Sequence, residues 1–343
     1  MNAADHSEVS NPPQLKPQAT LLKQKARVTA LVVFAVALIL WASPSTALVA
    51  GILFTLFVGH PLAHWNHTVT KWLLQVSVVL LGFGMNLPAV LRLGLDGSLF
   101  AAATIGATLL LGRWLGRRFS LDSKTSLLVS AGTAICGGSA IAAVSSVIVA
   151  SEAQIAVSIG TIFLLNAIAL YVFPLAGHLL HLSQADFGLW AGVAIHDISS
   201  VVGAGLSFGN DALQTAIAVK LSRTLWIVPL TLAIAFRLSR LNRTEPKGPQ
   251  EVKGFIISAP WFIAFFFMAS LLSSYNSTVS GWAPHLSEIA RRGMILVLFL
   301  IGTSLSMRSL RAVGWRTVAT GFTLWLFISI GSLTAITVLH LKP

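Results

Sequence analysis

Four ionisable side chains stand where an apolar chain can least accommodate them. His196 and Asp197 are adjacent within GLWAGVAIHDISSVVGAGLSF, residues 188–208. Lys220 and Arg223 lie within AIAVKLSRTLWIVP, residues 216–229. Three apart on a helix, the two cations share a face. Charges inside a bilayer are costly and usually mark a substrate or ion path. Two cations beside an acid could bind an anion, with Asp197 neutralising Lys220 or Arg223 when the anion is gone. His196 adds a group whose ordinary pKa suits a proton switch. The bland alternatives are a paired polar cluster for His196 and Asp197, and snorkelling of Lys220 and Arg223 to an interface.

A third element has no charge. AICGGSAIAA, residues 134–143, weakens the middle of an apolar stretch with two adjacent glycines. Glycine costs about 1 kcal/mol against alanine inside a helix, so a break is expected at Gly137-Gly138. Ser139 is placed to cap the half-helix that follows. Its free N–H groups and dipole would favour an anion. The alternative is an unbroken helix whose small residues let a neighbour approach closely. Secondary candidates are Cys136 in the same stretch, Asn86, Asn166 and Ser199. Ser77, Pro88 and Pro174 are further polar or kinking features. His60, His64 and His67 recur at helical spacing, but with no acid or cysteine nearby they read as an interfacial cluster, so no metal site is expected.

These residues must be held by membrane helices. The 343 residues are 55% hydrophobic and 10% charged, against about 25% charged in soluble domains. Apolar runs near 20 residues recur throughout. The fold class expected is an all-α polytopic membrane protein with about eleven transmembrane helices, near 28–43, 46–60, 69–91, 97–116, 125–150, 153–175, 187–207, 212–236, 254–274, 290–307 and 316–340. Inverted repeats with discontinuous helices are expected within it. Residues 1–25 read as a disordered cytoplasmic tail, 26–240 as an N-terminal transmembrane region, 241–253 as a cytoplasmic linker and 254–343 as a C-terminal transmembrane region.

The net charge of +12 superficially suggests nucleic acid. Topology explains it better, because Lys and Arg collect in cytoplasmic loops. With the N-terminus inside, seventeen Lys and Arg fall on the inner side, and Arg92, Arg291, Arg292 and Lys342 on the outer. The single cysteine excludes an intrachain disulfide and a cysteine-cluster metal site.

Two internal echoes appear. Segment 73–94 aligns with 293–314 at an offset of 220, pairing Gly82 with Gly302. The topology makes these antiparallel, as in inverted-repeat transporters. AGTAICGGSAIAA (131–143) aligns with AGVAIHDISSVVG (191–203) at an offset of 60. Eleven crossings make that second pair parallel, so it reads only as a similar local design of small residues followed by a break.

LLGFGMNL, GTAICGGSAIAA, AIHDISSVVGAG and AVKLSRTLWIVPL, in that order, resemble the YeiH-like family of bacterial inner-membrane sulfate exporters. The resemblance covers about residues 28–340. It implies the fold group of sodium/proton antiporters and bile-acid symporters, with Gly137, Gly138 and Ser139 at a break, His196 and Asp197 as the acidic pair, and Lys220 and Arg223 as the basic pair. The function expected is a secondary transporter exporting a small inorganic or sulfur-containing anion of the sulfate/sulfite class. Gly137, Gly138, Ser139, Lys220 and Arg223 would bind it, and His196 and Asp197 would couple a proton or ion. No Walker motif is present, and no cofactor is expected. The partners expected are that anion, a coupling H⁺ or Na⁺, the lipid bilayer and a second copy in a homodimer, with no nucleic acid. An alternative is a Na⁺- or H⁺-coupled carboxylate or sulfonate transporter of the same fold. A third is an intramembrane enzyme with Cys136 as nucleophile and His196 as base.

Overall fold

Small and polar residues punctuate the apolar runs and divide them into helices. The computed structural model describes residues 28–29, 31–38, 44–58, 63–88, 97–241, 261–304 and 314–338, and no strand occurs among them. The tail 1–25 and the linker beyond Leu241 lie outside the described residues, as do the side chains of His60, His64 and His67.

The elements are α1 (Pro44–Val58), α2 (Ala63–Gly82), α3 (Ser98–Arg118), α4 (Ser123–Ala134), α5 (Gly138–Val147), α6 (Glu152–Leu179), α7 (Gln184–Ala194), α8 (Ile198–Phe208), α9 (Asn210–Thr224), α10 (Ile227–Leu241), α11 (Trp261–Tyr275), α12 (Ser277–Ser304) and α13 (Trp315–Val338). Side chains set several starts. Asp122 accepts from the Thr125 amide at the head of α4. Ser151 and Gln154 form a reciprocal capping box at the head of α6. Ser183 accepts from the Asp186 amide at the head of α7. Each satisfies donors that a helix start leaves unpaired. Among the described residues, four rods are long and apolar enough to cross a membrane: α3, α6, α13 and the near-continuous α9–α10, Asn210–Leu238.

Two expected crossings turn back instead. Residues 125–150 divide into α4 and α5, and Lys124 Nζ at the start of α4 donates to the Val149 carbonyl beyond the end of α5 at 2.8 Å. The Gln154 amide reaches Asp122 at 2.7 Å across the same root. A straight helix over this stretch would hold residues 124 and 149 about 37 Å apart, at 1.5 Å per residue. Residues 187–207 behave alike. The Gln184 side-chain oxygen accepts from the Asp211 amide at 3.0 Å, and the Phe187 and Phe208 rings stack at 3.8 Å. Both segments are therefore re-entrant hairpins, α4–α5 and α7–α8. They are joined by the 28-residue α6, so they enter from opposite faces. Because both spans fall out together, and 151–186 carries no Lys or Arg, the charge asymmetry is unchanged.

The helices form two groups. α1, α2, α11 and α12 pack on one another; α3 to α10 and α13 make the other group, and α8 lies against α1 and α12 as the main bridge. The residues paired by the longer echo sit in matching contacts. Gly82 of α2 packs on the Phe266 carbonyl of α11, and Gly302 of α12 packs on the Leu48 carbonyl of α1. Positions 89–94 and 305–313 of that echo lie outside the described residues.

Candidate functional site

The hairpin tips meet beside the middle of α6. In the first tip α4 ends at Ala134 and α5 begins at Gly138, so the expected break is present. Its pivot is Gly137, with φ +64° and ψ −124°, a conformation open essentially to glycine alone. A β-carbon there would stand 3.2 Å from Ile162 Cγ2, 3.4 Å from the His196 carbonyl and 3.5 Å from Asp197 Cβ. Any side chain at 137 would thus press on the second tip. At Gly138 a β-carbon would meet nothing within 4 Å, so only the first of the two glycines is demanded by geometry.

Ser139 does not cap. Gly137 holds the N-cap position with no side-chain bond. Ser139, already inside the helix, turns its Oγ back to Cys136, 2.9 Å from Sγ and 3.3 Å from the carbonyl. Cys136 is buried, and its thiol faces Ser139 rather than the His196 imidazole.

The second tip is capped by its own acid. Asp197 accepts from the Ser199 amide at 3.1 Å and from the Ser199 hydroxyl, closing the start of α8. No nitrogen of Lys220 or Arg223 lies within ion-pair distance of the Asp197 carboxylate, so the expected neutralisation by direct pairing is absent. His196 is fully buried. Its backbone amide donates to Asn166 Oδ1 at 3.2 Å and its Nδ1 lies 3.3 Å from the same oxygen. His196 Nε2 and Asn166 Nδ2 are buried without a hydrogen-bond partner among the described residues.

α9 carries the cations past both tips. Lys220, fully buried, donates to the Ile195 carbonyl at the end of α7. Arg223, 1% exposed, donates through Nη2 to the Ala134 carbonyl at the end of α4 at 2.5 Å, and through Nη1 to Thr104 Oγ1 of α3 at 2.9 Å. Neither side chain snorkels to an interface. Carbonyl ends of helices carry partial negative charge, and buried carbonyls left unpaired are costly. Each cation resolves both problems at one hairpin. What remains uncompensated is positive: the amino end of α5, and whatever charge of Lys220 and Arg223 Asp197 does not balance.

A small cavity of about 20 Å³ lies beside the second tip, lined by Asn166, Asp197, Ser199 and Ser200 on one side and by Leu48, Leu298 and Ile301 of α1 and α12 on the other. It sits on the boundary between the two helix groups. Asn86 is not part of this arrangement. It lies past the end of α2 and lines a separate cavity with Arg291. Sequence reasoning missed the root contacts of Asp122, Lys124 and Gln184, the roles of Thr104 and Ala134, and the Arg291 cavity.

Fold and site together define a helical membrane protein built around two opposed re-entrant hairpins. The model of the family described as Conserved hypothetical protein 698 matches residues 27–321, and the chain belongs to that family. It is similar to a UPF0324 membrane protein of Bacteroides thetaiotaomicron, 44% identical over 298 residues, 86% of this chain and 87% of the relative. A UPF0324 membrane protein of Porphyromonas gingivalis is 45% identical over 301 residues, with 86% and 87% covered. One of Shewanella oneidensis is 38% identical over 296 residues, with 86% and 89% covered. No solved structure gives a significant match.

Proposed function

We propose that the chain is a secondary transporter for a small anion of the sulfate/sulfite class, in a bacterial inner membrane with its N-terminus cytoplasmic. The observation that carries this reading is the division of labour at the tips. Lys220 and Arg223 neutralise the carbonyl ends of α7 and α4, leaving a site with excess positive potential. Opposed broken segments at mid-depth are what inverted-repeat transporters use to bind ions. The sequence echo at offset 60 fits this: hairpins entering from opposite faces relate AGTAICGGSAIAA to AGVAIHDISSVVG as inverted copies. The reciprocal packing of Gly82 on α11 and Gly302 on α1 supports a second inverted pair in the other helix group. Resemblance to the YeiH-like family points to the same substrate class and fold group.

In this reading the anion lies between the tips and the α1–α12 boundary, near Gly137, Gly138, Asn166 and the cations. Asp197, with Ser199 and Ser200, offers oxygens for a coupling H⁺ or Na⁺. Those acceptors also favour the second reading, a Na⁺- or H⁺-coupled carboxylate or sulfonate carrier. Alternating access follows from movement of the hairpin group against α1, α2, α11 and α12 across the boundary at α8. The test is flux of labelled sulfate, sulfite and a dicarboxylate in proteoliposomes under imposed proton and sodium gradients. Sulfur-oxyanion flux that Asp197→Asn uncouples from the gradient supports the reading. Transport of none of these anions by folded protein overturns it.

A further inference from the structure

The end of α3 carries an exposed patch that the hairpins do not use. Arg113, Trp114, Arg117 and Arg118 are exposed along its last turns, Trp114 at 60%. Leu110, one turn before Trp114 on the same helix face, is exposed too. Because α3 is long and apolar enough to cross a membrane, this face meets lipid. It is apolar at Leu110, aromatic at Trp114 and cationic one turn later at Arg118. Phe119, directly after α3, meets Trp315 edge-on with ring centroids 6.4 Å apart, which brings the start of α13 alongside. Trp315 is 69% exposed, and the Arg316 guanidinium lies 5.9 Å from the centre of its ring. The tryptophans and arginines of both helices thus gather on the membrane face that carries Lys124.

The charge of this patch is not balanced within the chain. Among the described residues, no ion pair joins Arg113, Arg117, Arg118 or Arg316 to a carboxylate. Asp122, the first acid after α3, is taken up by Thr125 and Gln154. Arg117 and Arg118 complement the carbonyl end of α3. Arg316 has the opposite placement. It stands in the first turn of α13, which holds no acid, and a helix start disfavours a cation unless an anion lies near. Tryptophans at a membrane boundary settle at headgroup depth, and basic clusters there attract anionic headgroups. We infer that the edge formed by α3 and α13 is a docking surface for an anionic phospholipid. Arg117, Arg118 and Arg316 hold its phosphate, Trp114 and Trp315 pack at its glycerol level, and its acyl chains run along α3 past Leu110. A zwitterionic lipid also offers a phosphate, but its own ammonium group is repelled by the arginines. The surface is independent of the hairpin tips and of whatever the chain transports.

The test is tryptophan quenching on the full chain in phosphatidylcholine bilayers, titrated with dibrominated phosphatidylglycerol or dibrominated phosphatidylcholine. The signal of Trp114 and Trp315 is the difference between each chain and its Trp114→Phe/Trp315→Phe counterpart. Phosphatidylglycerol should half-quench that signal at an about fivefold lower fraction than phosphatidylcholine, the factor for one basic residue near an anionic surface. Arg117→Gln/Arg118→Gln/Arg316→Gln should remove the preference, and the same three changes to Lys should keep it. Arg316→Gln alone, at an exposed position, should weaken it. Arg237→Gln, an exposed cation of α10, should leave it intact. Equal half-quenching fractions for the two lipids overturn the site. A preference that survives the three Gln changes, or that falls as far with Arg237→Gln, also overturns it, because charge anywhere on this face would then suffice. Loss of the preference on adding soluble glycerol phosphate overturns it by assigning the arginines to a free anion.

Discussion

Lys220 and Arg223 lie three residues apart on α9, yet each bonds to a different hairpin. Lys220 takes the Ile195 carbonyl and Arg223 takes the Ala134 carbonyl. One helix face therefore pins two re-entrant segments that enter from opposite sides, and the cations hold the tips as well as shape their potential.

Removing either cation should weaken the fold and not only the binding of an anion. Lys220→Met leaves the Ile195 carbonyl buried and unpaired, at a cost of about 1–3 kcal/mol. Arg223→Met should cost a similar amount at Ala134. Thermal unfolding of the purified variants in detergent measures this. Melting curves identical to wild type for both would mean that the carbonyl bonds contribute nothing.

The two glycines of the first tip should respond differently. Gly137→Ala forces a side chain into φ +64° and into contact with Ile162 and His196, costing about 1–3 kcal/mol. Gly138→Ala enters open space at the head of α5 and should be neutral or stabilising, by up to about 1 kcal/mol. Paired denaturation of the two variants decides the point. Equal losses would place the demand for glycine on the pair and not on Gly137.

Asp122 should make the first hairpin sensitive to acid. The Thr125 backbone N–H holds its carboxyl below the ordinary value of 3.8, aided by the Thr125 and Gln154 side chains and opposed by burial. A carboxyl with a lowered folded pKa contributes stability that is present above its unfolded value and lost as pH falls through the folded one. Amide exchange in α4 and α5 should accelerate as pH drops below about 3.8, after correction for intrinsic rates. Asp122→Ala should show the same acceleration at neutral pH. Exchange in the variant matching wild type at neutral pH would remove Asp122 from the root.

Much of this site was legible in the sequence because its parts break rules locally. A glycine pair in an apolar stretch marks a break wherever it falls, and buried charges in a membrane segment stand out by cost alone. Gly137, Asp197, Lys220 and Arg223 do converge, with Asn166 bridging to His196. Direction was not legible. Once α4 stops at Ala134, each arm is about 15–18 Å long, half a bilayer, and nothing local says whether the second arm continues or returns. That choice is made by contacts distant in sequence, Lys124 to Val149 and Gln184 to Asp211. Burial pattern gave no help, since α4 is buried on nearly every face. The role of Ser139 was misread for a related reason. Capping chemistry belongs to the residue before the first helical turn, and α5 begins at Gly138, two residues earlier than that role requires.

The sidedness of Ser151 tests the opposed hairpins most directly. Eleven crossings put the 150–152 turn on the face away from Lys124, whereas a re-entrant α4–α5 puts it beside Lys124 and Asp122. A Ser151→Cys chain is treated with an impermeant maleimide in right-side-out and inside-out vesicles, with Lys124→Cys as the reference. The account predicts that residue 151 is labelled from the same face as residue 124. Labelling of 151 from the opposite face would contradict it.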